Sequence, residues 1–307
     1  MDELATAVLD QMTEAELAQV EADAQTQLGV YARHVVGLLG HCEVQNNSRA
    51  WQPVPPFCRS TVVIEIRGQW YLLTAGHVVK QLLQMKTEPN FRLRGLALDD
   101  TFPPAATDQN GIDGFDFDAE HCFFRDSRRD GLSLGQNDGL DVGFIHVRPL
   151  YRELLKKNGI EPVTEGMWDS SSLAGCTTYL MAGFQREGVD SRITEYRDHY
   201  RASIRSRLTY IMVERLEADP VGELTTYPRF CGRVGPDQQV GDLDGMSGGP
   251  VFAFVGAQFE PYFLAGIQAS WLADSRVIYA TPMHVALNCA SDFFRTIENQ
   301  WNDDRKV

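Results

Sequence analysis

The chain has 307 residues, with 28 Lys and Arg against 42 Asp and Glu, and a formal net charge of −14. Its 43% hydrophobic and 23% charged residues describe a globular protein of one large or two modest domains, and exclude a disordered chain. The acidic balance argues against nucleic-acid binding, because phosphates repel a surface without a strong basic stripe. The longest apolar runs, such as 251–257, are too short to span a bilayer.

Asp2 and Glu3 stand where an export signal needs positive charge, and no Lys or Arg precedes Arg33. The expectation is a cytoplasmic protein. Cys42, Cys58, Cys122, Cys176, Cys231 and Cys289 are scattered, with no CxxC pair. That spacing argues against structural zinc and predicts six free thiols.

Residues 1–40 carry seven acids and one base. Thr13 and Glu16 form a capping-box pair, and Leu17, Val20, Ala24, Leu28, Tyr31 and Val35 recur at helical spacing. The pattern predicts a helical arm, residues 1–45 as a unit, with its helix from about 13 to 39. Packing on the main domain is the simpler role for it, and a docking surface for a regulatory partner the sharper one.

Beyond Pro53, Pro55 and Pro56 the texture turns to strands. Runs at 61–66 and 69–74 flank Arg67-Gly68, a hairpin signature. Further strands are expected at 91–97, 121–124, 142–147, 177–182, 203–214, 251–255, 262–270 and 277–281. Many short strands with turns between them predict a mainly β fold. The acidic stretch 108–120 offers oxygen ligands for calcium but not at EF-hand spacing, so a solvated loop is expected there. The arginine-rich stretch 192–207 mixes both signs of charge and reads as solvated surface. Thr281-Pro282 predicts a capped terminal helix over 283–302, with Ala286, Ala290, Phe293, Ile297 and Trp301 on its apolar stripe.

Three segments carry chemistry. His77 follows a hydrophobic strand in 72–79. Asp141 opens the apolar run 141–145, with Asp138 as a nearby competitor. Ser247 is wrapped in glycines within 244–252. A serine hydroxyl needs a base to take its proton, an imidazole titrates in the right range, and a buried carboxylate orients that imidazole. Glycines let successive N–H groups converge on a developing oxyanion. Each segment alone is weak; the other histidines, His34, His41, His121, His146, His199 and His284, have no such setting.

With TAGH at 74–77, DVGFI at 141–145 and GMSGGPVF at 245–252, in that order, the chain resembles the trypsin/chymotrypsin-like serine protease family over about residues 57–302. The resemblance implies two six-stranded antiparallel β-barrels, about 46–160 and 161–282, followed by the terminal helix. It implies His77 as general base, Asp141 orienting it, Ser247 as nucleophile, and the N–H groups of Gly245 and Ser247 as oxyanion hole. It implies protein or peptide substrates, with no cofactor and no metal. Gly241 would take the floor of the specificity pocket. Gly266, Gln268, Ala269, Ser270 and Trp271 would form the substrate-binding strand, with one residue inserted near Ala269 or Ser270.

The departures are Val78 where animal members carry cysteine, Met246 where they carry the aspartate of the zymogen switch, and Gly241 where a trypsin-type pocket has an aspartate. The likeness is nearest to bacterial intracellular trypsin-like proteases, some of which act in antiphage defence. Two other readings compete. A catalytically silent binding module of the same fold is one. The other is an α/β-hydrolase elbow at GxSxG with Asp274 and His284, which needs a helix directly after the serine.

Overall fold

The structure is a computed structural model that describes residues 28–47, 49–103, 111–126, 139–168, 173–186, 190–196, 199–220, 222, 225–238, 240–241, 243, 245–255 and 260–304. The first half contains β1 (Val35–Gln45), β2 (Trp51–Pro53), β3 (Phe57–Ile66), β4 (Gln69–Thr74), helix α1 (Gly76–Thr87), β5 (Phe91–Asp99), β6 (Ile112–Asp113), β7 (Cys122–Asp126) and β8 (Asp141–His146). Helix α2 (Pro149–Lys157) follows. The second half contains β9 (Thr178–Phe184), β10 (Asp190–Tyr196), β11 (His199–Arg205), β12 (Leu208–Arg215), β13 (Phe230–Val234), β14 (Pro250–Phe254), β15 (Tyr262–Leu272) and β16 (Val277–Pro282). Helices α3 (Met283–Cys289) and α4 (Ser291–Asp304) complete the described chain.

Among the described residues one barrel closes, formed by strands β12-β13-β16-β15-β14-β9. The first half is an eight-stranded sheet in the order β6-β5-β1-β3-β4-β8-β7, with β2 paired to β1, and among the described residues it does not close, so the expected second barrel is not confirmed. Helix α1 packs against β5, β7 and β8.

The N-terminal prediction needs a second correction. Residues 1–27 lie outside the described residues, and 28–32 are helical, but 35–45 form β1 instead of continuing a helix. That strand is paired on both sides, to β3 and to β5. It is also covered on both faces from Val35 to Glu43, so it shows no polar alternation to betray it. The overlooked signal is Gly37 and Gly40, poor helix residues. A Cβ on Gly40 would overlap the Phe57 ring.

Three packed layers hold the fold. One packs Leu38, Leu72, Leu98 and Ile145 of the first sheet with Val79 and Leu82 of α1. One fills the barrel with Tyr179, Met181, Ile211, Val251, Ile278 and Ala280. The third lies between them, where Val62, Phe144, Phe184, Phe252 and Ile267 meet α4 through Phe294 and Ile297. The stretch 108–120 departs from a plain solvated loop, because Ile112, Phe115 and Phe117 are buried in the first layer. The terminal helix is two helices broken at Ala290, and Pro282 is the residue at its start. The stretch 192–207 contains most of the antiparallel hairpin β10–β11, whose first strand the sequence patterns do not predict. The turn at Arg67-Gly68 is as expected, with φ of 51° and 75°. All six cysteines are free thiols, and no helix among the described residues is long and apolar enough to cross a membrane.

Candidate active site

His77 sits in the first turn of α1, directly after β4. The glycine before it makes this possible. A Cβ on Gly76 would overlap the Arg125 carbonyl and come within 2.8 Å of the Val142 carbonyl, so the turn lies flush on β7 and β8. His77 is thereby lowered onto Asp141, the first residue of β8. The two are 6% and 2% exposed. Asp141 Oδ1 accepts the His77 backbone N–H at 2.9 Å, and Oδ2 lies 2.7 Å from His77 Nδ1. A carboxylate only accepts, so Nδ1 carries the proton and Nε2 is left with its lone pair. Thr281 of β16 accepts the Asp141 N–H at 3.3 Å and donates to its carbonyl at 3.2 Å. The hydroxyl expected to cap the terminal helix is thus spent on holding Asp141 from the barrel side.

The loop leading into β14 carries Ser247, which is half-buried. Met246 N–H donates to Leu243 at 3.0 Å, Gly249 N–H to Met246 at 2.8 Å and Gly248 N–H to Gln268 at 2.8 Å. Among the described residues the N–H groups of Gly245 and Ser247 and the Ser247 hydroxyl make no hydrogen bond. Gly245 and Gly248 have φ of 94° and 92°, a region that favours glycine. A Cβ on Gly248 would overlap the Thr74 hydroxyl and the Ser60 carbonyl. Thr74 ends β4, three residues before His77, so the serine loop lies against the end of the strand that leads to His77. Gly248→Ala is therefore expected to lower stability by about 3 kcal/mol or more, through backbone strain and overlap together. The midpoint of urea unfolding measures it.

The predicted substrate strand is β15, and only part of it has a free edge. Gly266 and Ile267 pair with both β14 and β16. Gln268 pairs with Ala280, while its N–H and carbonyl are bonded to Gly249 and Gly248. The register shifts between Gln268 and Ser270, which leaves Ala269 as a bulge. Past it, Ser270 and Trp271 are paired, among the described residues, to β16 alone. Ala269 and Ser270 also line a 40 Å³ cleft with Asp141 and Leu140. Gln268 is 1% exposed and its side-chain carbonyl has no partner. Gly241 is exposed, and Asp138, Asp242 and Asp244 lie outside the described residues.

Other chemistries fit less well. Strand β14 follows the serine where an α/β-hydrolase elbow needs a helix, and His284 lines a separate 320 Å³ cleft beside Phe230 and Ala265. Burial pushes the Cys122 thiol up to about 12 and raises those of Cys42, Cys58, Cys176 and Cys231, so none of these is a ready thiolate. Among the described residues no group of three or more His, Cys, Asp or Glu is arranged to hold a metal ion.

No family model matches the chain, and no curated protein matches it. Among solved structures it is similar to an inactive mutant of the murine norovirus NS6 protease carrying a C-terminal extension. The two are 11% identical, the match covers 72% of this chain and 91% of that one, and the TM-score is 0.33. The functional reading rests on the site's own geometry.

Proposed function

We propose that the chain is a serine endopeptidase that acts through an acyl-enzyme on Ser247. The observation that supports this best is the buried His77–Asp141 pair. It leaves the Nε2 lone pair of His77 unused, and among the described residues the Ser247 hydroxyl and the N–H groups of Gly245 and Ser247 make no hydrogen bond. In this reading His77 takes the Ser247 proton as the hydroxyl attacks the scissile carbonyl, and returns it to the leaving amine. The N–H groups of Gly245 and Ser247 receive the oxyanion. Water then attacks the ester by the same route. The free edge at Ser270 and Trp271 adds the substrate backbone as an extra strand. A restricted protein target and a regulatory partner at residues 1–40 belong to the same proposal.

A silent binding module has one observation in its favour: no hydrogen bond joins Ser247 to His77. Such bonds are often long before substrate binds. A fluorophosphonate probe separates the two readings. Wild-type protein is expected to be labelled and Ser247→Ala not. A well-folded wild type that takes no label would reject the protease reading.

A further inference from the structure

His77 and Asp141 belong to the first half of the fold, and Ser247 to the loop that enters the barrel. Thr281 is a point where the barrel grips the aspartate. It lies on β16 and is 1% exposed. Its hydroxyl accepts the Asp141 N–H at 3.3 Å and donates to the Asp141 carbonyl at 3.2 Å. Those two groups flank a single Cα and, in a strand, point to the same side. A hydroxyl bonded to both restrains the rotations on either side of that Cα. It therefore sets the direction of the Asp141 Cβ, and with it the carboxylate. That carboxylate is the group that takes the His77 N–H at 2.9 Å and faces Nδ1 at 2.7 Å.

The grip is referenced to the serine loop through the barrel's own hydrogen bonds. Thr281 pairs with Ile267 across β15–β16, and Ala280 pairs with Gln268. Gln268 in turn accepts the Gly248 N–H at 2.8 Å and donates to the Gly249 carbonyl at 2.9 Å. A bonded path thus runs from the two residues after Ser247, through β15 and β16, to Asp141. The strand pairings of β8, such as Gly143 with Thr74 and Asp141 with Asp126, lie within the first sheet and make no such link. The barrel also touches Gly139, two residues before Asp141, where a Cβ would come within 2.9 Å of the Thr225 side chain and 3.0 Å of the Tyr227 carbonyl. That contact limits how far the segment can approach the barrel, but it does not orient the Asp141 peptide.

We propose that Thr281 is a positioning residue: its hydroxyl fixes the Asp141 backbone and so aims the carboxylate at His77. This rests on the protease reading of the His77–Asp141 pair. The base is then held by the half of the fold that carries the nucleophile.

The test compares Thr281→Val, which keeps the side chain's shape and removes both bonds, with Thr281→Ser, which keeps the hydroxyl. Thr61→Val is the control. Thr61 is a fully buried β3 residue whose hydroxyl donates to Val36 at 2.7 Å. In Thr281→Val, kcat for peptide hydrolysis is expected to fall about 10- to 100-fold with KM nearly unchanged, the scale of a small misplacement of a catalytic group. Thr281→Ser should recover most of that loss. Thr61→Val should lower the melting temperature and leave kcat alone. The downfield proton resonance of His77 Nδ1, which reports its bond to the carboxylate, should shift or broaden in Thr281→Val only.

A wild-type Nδ1 resonance in Thr281→Val would overturn the proposal whatever the rate, and so would a wild-type kcat. An equal kcat loss in Thr61→Val, or no recovery in Thr281→Ser, would also overturn it, by showing a stability or packing effect. If the wild type has no Ser247-dependent hydrolysis, the protease reading fails. The Nδ1 resonance alone then decides whether Thr281 aims Asp141.

Discussion

Asp141→Asn is expected to lower kcat by about 10⁴-fold while leaving the fold intact, the magnitude that trypsin-like enzymes show for this change. The two bonds to His77 explain why. The carboxylate accepts both the backbone N–H at 2.9 Å and the Nδ1 proton at 2.7 Å. Asparagine has one acceptor and one donor. If its oxygen keeps the backbone N–H, its NH₂ faces Nδ1 and forces that nitrogen to accept. The proton then sits on Nε2, the atom that receives the serine proton in the proposed mechanism. If the amide flips, the backbone N–H meets a donor instead.

In the proposed mechanism either outcome disables His77 as base without emptying the site, because Thr281 still holds the Asn backbone from β16. The check is steady-state hydrolysis of a peptide cleaved by the wild type, with fluorophosphonate labelling alongside. A loss under tenfold would mean that the Asp141–His77 pair does not set the base. A loss of that order together with a wild-type melting temperature supports the assignment.

How far the sequence shows the site depends on how local the signal is. His77, Asp141 and Ser247 stand beside strand and glycine patterns that local periodicity reveals. Strands β4, β8 and β14 lie within a residue of where alternation and apolar runs put them. Ser60, Thr74 and Thr281 were not legible as site residues. A buried hydroxyl in a strand looks the same in sequence whether it bonds its own strand or spans to another half. Ser60 reaches Gly245 across 185 positions, and Thr281 reaches Asp141 across 140. Gly76 could have been singled out: a small residue before the histidine is the signal for a helix seated flush on neighbouring strands.

Closure of the first sheet is not legible in the sequence for a related reason. Strand runs predict where strands lie, but closure depends on pairings between strands far apart in the chain. β1 was missed because a strand buried on both faces loses the alternation that identifies strands. The arm's acidic helical pattern then ran on into it.

Acid is expected to weaken the fold between about pH 6.5 and pH 4, through two histidines outside the site. His34 is 2% exposed. Its Nδ1 lies 2.6 Å from the Glu161 carbonyl and so carries the proton, and its Nε2 accepts the Tyr262 hydroxyl at 2.6 Å. Arg33 donates to the same Tyr262 oxygen at 2.8 Å. Burial, aided by the Arg33 charge and partly opposed by the Glu161 carbonyl, lowers His34 to about 4. Burial also lowers His146 to about 4, helped by His121 and Arg148. His146 Nδ1 is buried without a partner, and its ring packs on Tyr71, which meets Phe293 and Phe294 of α4.

A histidine whose folded value lies below its unfolded one contributes stability that is complete above the unfolded value. That stability is lost as pH falls toward the folded value, because the unfolded chain binds the proton first. Each group accounts for up to about 3 kcal/mol by pH 4, against a typical total of about 5–15 kcal/mol. His34 joins the start of β1 to β15 and His146 supports α4, so both losses fall where the two halves and the terminal helix meet. Urea unfolding at about pH 7 and about pH 5 should show a smaller acid loss in His34→Gln and in His146→Gln than in the wild type. Equal slopes in all three proteins would assign the acid sensitivity to the carboxylates instead.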